Sequence, residues 1–170
     1  IIGRGFFRGL KEAPIGPSLK NAKGSWSDSY AFDVQIAEVE VDTLTGDIRV
    51  IKAVTAHDCG FPINPLLVEG QIDGQVSMAA GQATHEIVHI KNGITLNPSF
   101  LEYKMPLATE MVKNDYIDVI TETYAKDHHF HTKEVGEGYV SAVLAAIANA
   151  VYNATGYRTK VLPIIFPVKE

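Results

Sequence analysis

The stretch YVSAVLAAIANAVYNATG, residues 139–156, constrains the fold more than any other part of the chain. Val140, Val143, Leu144, Ile147, Ala148, Val151 and Tyr152 recur at i, i+3, i+4 and i+7, which predicts a helix from about 137 to 154 with one apolar stripe, closed by Gly156. Such a stripe is stable only against other elements of the same core. With 170 residues and 46% apolar content, the chain has enough material for one ordinary domain, or for part of a larger one.

What the helix packs against is legible upstream. AFDVQIAEVEVD alternates and is rich in β-branched residues, DTLTGD supplies a turn, and IRVIKAVTAHD reads as the return strand of a hairpin. In INPLLVEGQIDGQVSMAAGQATHE, Asn64 is suited to cap a helix and Pro65 to open it, which predicts a second long helix from about 64 to 84. At 100° per residue, Val68, Ile72, Val76, Ala79 and Ala83 share a sector. Gly70, Gly74, Ser77 and Gly81 cluster nearly opposite, with Gln71, Gln75 and Gln82 between. Each glycine costs a helix about 1 kcal/mol relative to alanine, so that face predicts a close approach by some other body. HEIVHIKNGITLNP reads as a strand, an Asn-Gly turn and a short return, YIDVITETY as another strand, and TKVLPIIFPV as a terminal strand or a docked extended segment. The fold class is α+β: a mixed or antiparallel sheet with two long helices packed on it. Residues 1–29, rich in Gly, Pro, Lys and Ser, read as a loop or linker, and residues 30–170 as the folded part.

Charge and cysteine usage exclude several functions. The net charge of -5 is spread along the chain, which gives nucleic acid no basic surface to bind. The single cysteine, Cys59, leaves no internal disulfide and no four-cysteine metal site, and suits a reducing, cytoplasmic setting. No apolar run reaches the 18 to 20 residues needed to span a bilayer, so a membrane partner is not expected. The chain opens at IIGRGFFRG without methionine, as a fragment or a processed subunit does.

The candidate chemistry lies at two places. In HTKEVGEG, Glu137 stands between Gly136 and Gly138 at the mouth of the second long helix. It reads either as a first-turn acid complementing the helix dipole or, with glycines removing side-chain bulk around it, as a general base that a ligand can reach. Lys133 reads as its partner or as a solvated lysine. In AHDCGFPINP, His57, Asp58 and Cys59 are consecutive and do not converge on one metal. The segment reads as a strand-to-helix turn, or as a helix start whose amides hold an anion or polar heterocycle. HHFH, residues 128–131, reads as an exposed loop, and Cys59 as a small buried residue.

Taken in order, IAEVEVDTLTGDIRVIKAVTAHDCGFPINPLLVEGQIDGQVSMAAGQATHE, TLNPSFLEYKMP and KEVGEGYVSAVLAAIANAVYNATG resemble the C-terminal part of the molybdenum-binding subunit of the xanthine oxidase and aldehyde oxidase family. The wording is most similar to its 4-hydroxybenzoyl-CoA reductase and bacterial nicotinate or purine hydroxylase members. The resemblance implies a molybdopterin-dependent oxidoreductase acting on an aromatic or N-heterocyclic substrate, by hydroxylation or reductive dehydroxylation. Its molybdenum is carried by a pterin, commonly as the cytosine dinucleotide, and no side chain ligates the metal. The family's catalytic glutamate falls on Glu137. Gly70, Gln71, Gly74, Lys133, Val135 and Gly136 are then expected on the cofactor side, with the rest of the pocket contributed from upstream of residue 1. Partners would be the remainder of the molybdenum subunit, an iron-sulfur subunit and an FAD subunit, and the isolated chain should be inactive. The competing readings are a non-catalytic assembly module of the same fold and a small nucleotide-binding domain. The last lacks any strand, GxxxxGK[ST], helix signature.

Overall fold

In the computed structural model, residues 2–6, 30–117 and 130–168 are described. The expected hairpin is formed by β1 (Phe32–Val41) and β2 (Ile48–Asp58), antiparallel from Phe32↔Asp58 to Val41↔Ile48. Its turn is made by Asp42, whose carboxylate accepts from the amides of Leu44 at 2.8 Å and Thr45 at 3.1 Å, while Gly46 takes the left-handed conformation at φ 86°. The register slips between Glu38 and Val39, a bulge that leaves Ile51 without an opposite residue and strengthens the local twist. On β1, Asp33, Gln35, Ala37, Val39 and Val41 are half-buried under the helices, whereas Phe32, Val34 and Ile36 are exposed on the other face.

A third strand, β5 (Lys113–Ile117), runs parallel to β2 from Lys52↔Lys113 to Ala56↔Ile117 and gives the order β1-β2-β5. The sheet is therefore mixed, and the α+β class holds. The strand read at YIDVITETY begins earlier, at Lys113, and its positions beyond residue 117 lie outside the described residues. Upstream of β5 in the chain, β3 (Ile90–Lys91) and β4 (Ile94–Thr95) form the Asn-Gly hairpin, with Asn92 at φ 52° and Gly93 at φ 78°. Its strands are shorter than HEIVHI suggests. The Asn97 side chain takes over upstream, accepting from the His89 amide at 2.9 Å and donating to the Ile87 carbonyl at 2.7 Å.

Both long helices lie over the inner face of the sheet. The first, α1 (Pro65–Thr84), starts as expected, with the Asn64 side chain accepting from the Leu67 amide at 3.3 Å and Pro65 in the first turn. The second, α2 (Gly138–Thr155), ends at Gly156, φ 75°, whose amide donates to the Tyr152 carbonyl at 2.7 Å. Ile72, Val76, Ala79 and Ala83 of α1 interlock with Tyr139, Val143, Ile147 and Val151 of α2 over Ala53 and Val112. Each large side chain fully withdrawn from water here stabilises the fold by about 1.5–3 kcal/mol. The C-terminal tail docks as an extended segment: the Ile164 amide donates to the Ala83 carbonyl at 2.7 Å and its side chain is buried.

Two details differ from the sequence reading. The deepest line of α2 is Tyr139, Val143, Ile147, Val151, with Val140, Leu144 and Ala148 on its flank. Tyr152 is 42% exposed and lies under the Arg158 guanidinium, 4.0 Å from the ring centre. On α1 the small-residue face divides. Ser77 and Gly81 are buried, and a Cβ at Gly81 would come within 2.6 Å of Pro106. Gly70 and Gly74 are exposed, with nothing within 4 Å. The close approach expected along the whole face occurs within this chain only at Gly81. Among the described residues no helix is long and apolar enough to cross a membrane.

Candidate functional site

AHDCG and HTKEVGEG, far apart in sequence, are laced together at the end of β2. Gly60 and Thr132 form an antiparallel bridge, the Lys133 amide donates to the Cys59 carbonyl at 2.8 Å, and the Phe61 amide donates to the His131 carbonyl at 2.8 Å. Gly60 is required here. Its φ is +65°, and a Cβ would strike the His131 carbonyl. The Asp58 carboxylate ties the knot, accepting from the Gly60 amide at 2.9 Å and from the Lys133 ammonium at 2.5 Å. Both charged side chains are only 6% exposed, and the ammonium also stands 5.4 Å from the centre of the Phe32 ring. Lys133 is thus not a solvated lysine; its charge is committed to Asp58.

An open groove of about 330 Å³ runs along this seam. One wall is the turn and first helical turns from Cys59 to Gln71; the other is Thr132, Lys133 and Val135. The structure therefore brings Gln71, Lys133 and Val135 to one groove, with Gly70 and Gly74 on the adjoining bare face of α1. Gly136 is buried at φ +145°, a conformation only glycine adopts readily. Glu137 follows it as the N-cap of α2. It is exposed, and its side chain makes no capping hydrogen bond.

The glycines around Glu137 have a different neighbour from the one expected. Glu134 places one carboxylate oxygen 3.1 Å from where a Cβ of Gly138 would stand and the other 3.5 Å from that of Gly136. The glycines admit the Glu134 carboxylate against the start of α2, where the helix dipole favours it. Glu134 was not legible as a site residue, because nothing in KEVGEG distinguishes which acid folds back over the glycines.

Beneath this loop lies a polar cluster that sequence reading missed. The His57 ring meets Tyr139 edge-on at 4.3 Å, and its Nδ1 is 4.0 Å from an Asp33 carboxylate oxygen. Gln35 donates to the other Asp33 oxygen at 2.8 Å and to the Tyr139 carbonyl at 3.2 Å. Burial pushes the Asp33 carboxyl and the Tyr139 hydroxyl up, and it lowers the affinity of His57 for a proton against the opposing pull of the Glu134 carbonyl. The signal was available: Asp33 and Gln35 share the inward phase of β1 with Ala37, Val39 and Val41.

Because the folded state depresses the His57 pKa below its ordinary 6.5, the neutral ring's contribution is present above that value and is lost as pH falls through the depressed one. In the full-length subunit, Tm is expected to decline on acidification below about pH 6.5, and His57→Gln is expected to flatten that decline. Parallel slopes for the two proteins by differential scanning calorimetry would remove His57 as the cause.

Cys59 is buried, and burial raises its thiol pKa, so the small-residue reading of this cysteine holds. Of HHFH, His128 and His129 lie outside the described residues, while Phe130 and His131 are exposed. Among the described residues no group of three or more His, Cys, Asp or Glu is placed to hold a metal ion. A larger open groove of about 700 Å³ involves His85, Phe100, Tyr103 and Met105. It is remote from the laced seam and has no buried ion pair, so the smaller groove is the better candidate. Its Gln71 amide, bare α1 backbone and apolar floor fit the edge of a large polar heterocycle rather than a metal held by side chains.

Residues 1–112 match the model of the molybdopterin cofactor-binding domain. The chain is 33% identical over 138 residues to the xanthine dehydrogenase molybdenum-binding subunit of Escherichia coli O157:H7, covering 79% of this chain and 18% of that protein. It is 33% identical over 139 residues to the gamma subunit of the 6-hydroxypseudooxynicotine dehydrogenase complex of Paenarthrobacter nicotinovorans, covering 80% and 17%. The fold superimposes on the aldehyde oxidoreductase of Desulfovibrio gigas with a TM-score of 0.65 at 27% identity, covering 76% of this chain and 14% of that one. The chain thus spans less than a fifth of the length of these relatives. It belongs to the molybdopterin cofactor-binding domain family, whose relatives here are molybdenum-binding oxidoreductase subunits of the xanthine dehydrogenase and aldehyde oxidase type.

Proposed function

We propose that this chain forms one wall of the active site of a molybdenum hydroxylase-type oxidoreductase, with Glu137 as the general base. The observation that carries the reading is the position of Glu137: an exposed carboxylate, free of any capping bond, at the start of α2 and two residues beyond Val135 of the groove wall. Gln71, with the bare backbone at Gly70 and Gly74, would hold the pterin part of the cofactor, in its cytosine dinucleotide form. Val135 and the aliphatic stem of Lys133 would form the apolar wall opposite, and Gly136 would set the direction in which Glu137 leaves the loop. When bound, the molybdenum centre would supply two-electron redox capacity, accepting electrons in a hydroxylation and delivering them in a reductive dehydroxylation. Glu137 takes the proton.

The substrate is a small aromatic or N-heterocyclic compound, and the chemistry is hydroxylation or, in the manner of 4-hydroxybenzoyl-CoA reductase, reductive dehydroxylation. Two of the relatives are named for xanthine and for 6-hydroxypseudooxynicotine, which supports that class, while the solved structure is named for aldehydes. Upstream sequence of the same subunit completes the pocket, an iron-sulfur subunit and an FAD subunit carry electrons onward, and the assembly is cytoplasmic.

A second reading is favoured by one feature. Phe32, Val34 and Ile36 are 63–65% exposed along one face of β1, as in a non-catalytic module that packs against partner subunits. Metal analysis of the complex purified with its natural partners separates the two. About one molybdenum per molybdenum subunit is the expected result; an intact complex without molybdenum would leave the assembly module.

A further inference from the structure

We propose that Asp58 and Lys133 are a positioning pair: their buried contact sets the spacing between the two walls of the groove and so fixes where the Glu137 carboxylate stands. The inference rests on the reading of Glu137 as the base, and goes beyond it by assigning residues that hold the base in place.

Asp58 is the point from which both walls depart. One carboxylate oxygen holds the Gly60 amide at 2.9 Å, which fixes the turn leading through Asn64 into α1 and Gln71. The other holds the Lys133 ammonium at 2.5 Å, which fixes the segment leading to Glu137. Only Glu134, Val135 and Gly136 separate Lys133 from Glu137. Because Glu137 makes no capping bond of its own, its place is inherited from this tether and from α2. The backbone lace reinforces the contact on both sides, through Phe61 to His131 and Lys133 to Cys59. Burial of both side chains leaves the long lysine stem little freedom, so the pair acts as a spacer, and misplacing a reacting group by about 1 Å costs about 10²-fold in rate.

Asp58→Glu separates spacing from charge, since it retains the carboxylate and lengthens the arm by one C–C bond, about 1.5 Å. In the complete enzyme, kcat is expected to fall about 10²-fold with KM little changed and molybdenum content retained. Hydrogen exchange is expected to quicken in peptides covering 58–62 and 131–136 while those covering 143–151 keep wild-type protection. Wild-type kcat in Asp58→Glu, or exchange that quickens uniformly through the α2 core, overturns the proposal. Should this variant fail to assemble, Lys133→Arg, which keeps the charge and changes only the reach, is read by the same two measurements. Glu137→Gln, run in parallel, keeps the two claims apart. A fully active Glu137→Gln sinks the base reading itself, whereas an inactive Glu137→Gln beside a fully active Asp58→Glu sinks only the positioning pair.

Discussion

Glu137→Gln in the complete enzyme is expected to lower turnover by about 10²- to 10⁴-fold, the range that a positioned general base contributes. The substitution keeps the shape of the side chain and removes only its ability to take a proton. Glu137 is exposed and supports no capping bond, so folding, subunit assembly and molybdenum content should be unaffected. Steady-state kinetics beside metal analysis gives the answer. Turnover within a fewfold of wild type would show that the carboxylate serves only the dipole of α2, a role worth about 0.3–1 kcal/mol in stability. A large loss of turnover together with a loss of molybdenum would place Glu137 in cofactor retention instead.

Lys133→Met is expected to destabilise the full-length subunit by about 3–5 kcal/mol, the cost of removing one partner from a buried ion pair. The Asp58 side chain is 6% exposed, so once its cation is gone its charge stays behind in a poorly solvated place, with the Gly60 amide in support. The loss should be largely reversed by adding Asp58→Asn, because no unpaired charge is then left buried. Chemical denaturation of the two single variants and the double variant forms the cycle. An additive result would mean that the two side chains contribute independently despite their contact.

Where the sequence carried local signals, the structure follows them. The Asn64 cap with Pro65, the Asn92-Gly93 turn and the Gly156 stop each act within a few residues, and all three appear as read. The unforeseen features involve contacts between remote residues. The parallel partner of β2 could not be read, because a parallel pair is joined by a long crossover that leaves no turn signature. Val140 and Tyr139 are adjacent in sequence, and hydrophobicity alone favoured the valine. The edge-on contact of Tyr139 with His57 decides otherwise. Likewise, the family resemblance named Glu137 but gave no reason for Asp58, Asp33 or the fold-back of Glu134. Those roles arise only when the end of β2 meets the loop before α2.

That meeting also has a consequence in time. Asp58 and Lys133 are 75 residues apart in the chain, and closing so long a loop offers no local reward until both ends are present. On the ribosome, the wall bearing Gln71 is complete long before its counterpart has been made. A nascent chain stopped short of residue 131 would have the hairpin and α1 but no groove. The groove proposed to receive the cofactor therefore comes into being only when the segment around Lys133 has been made and has met the end of β2.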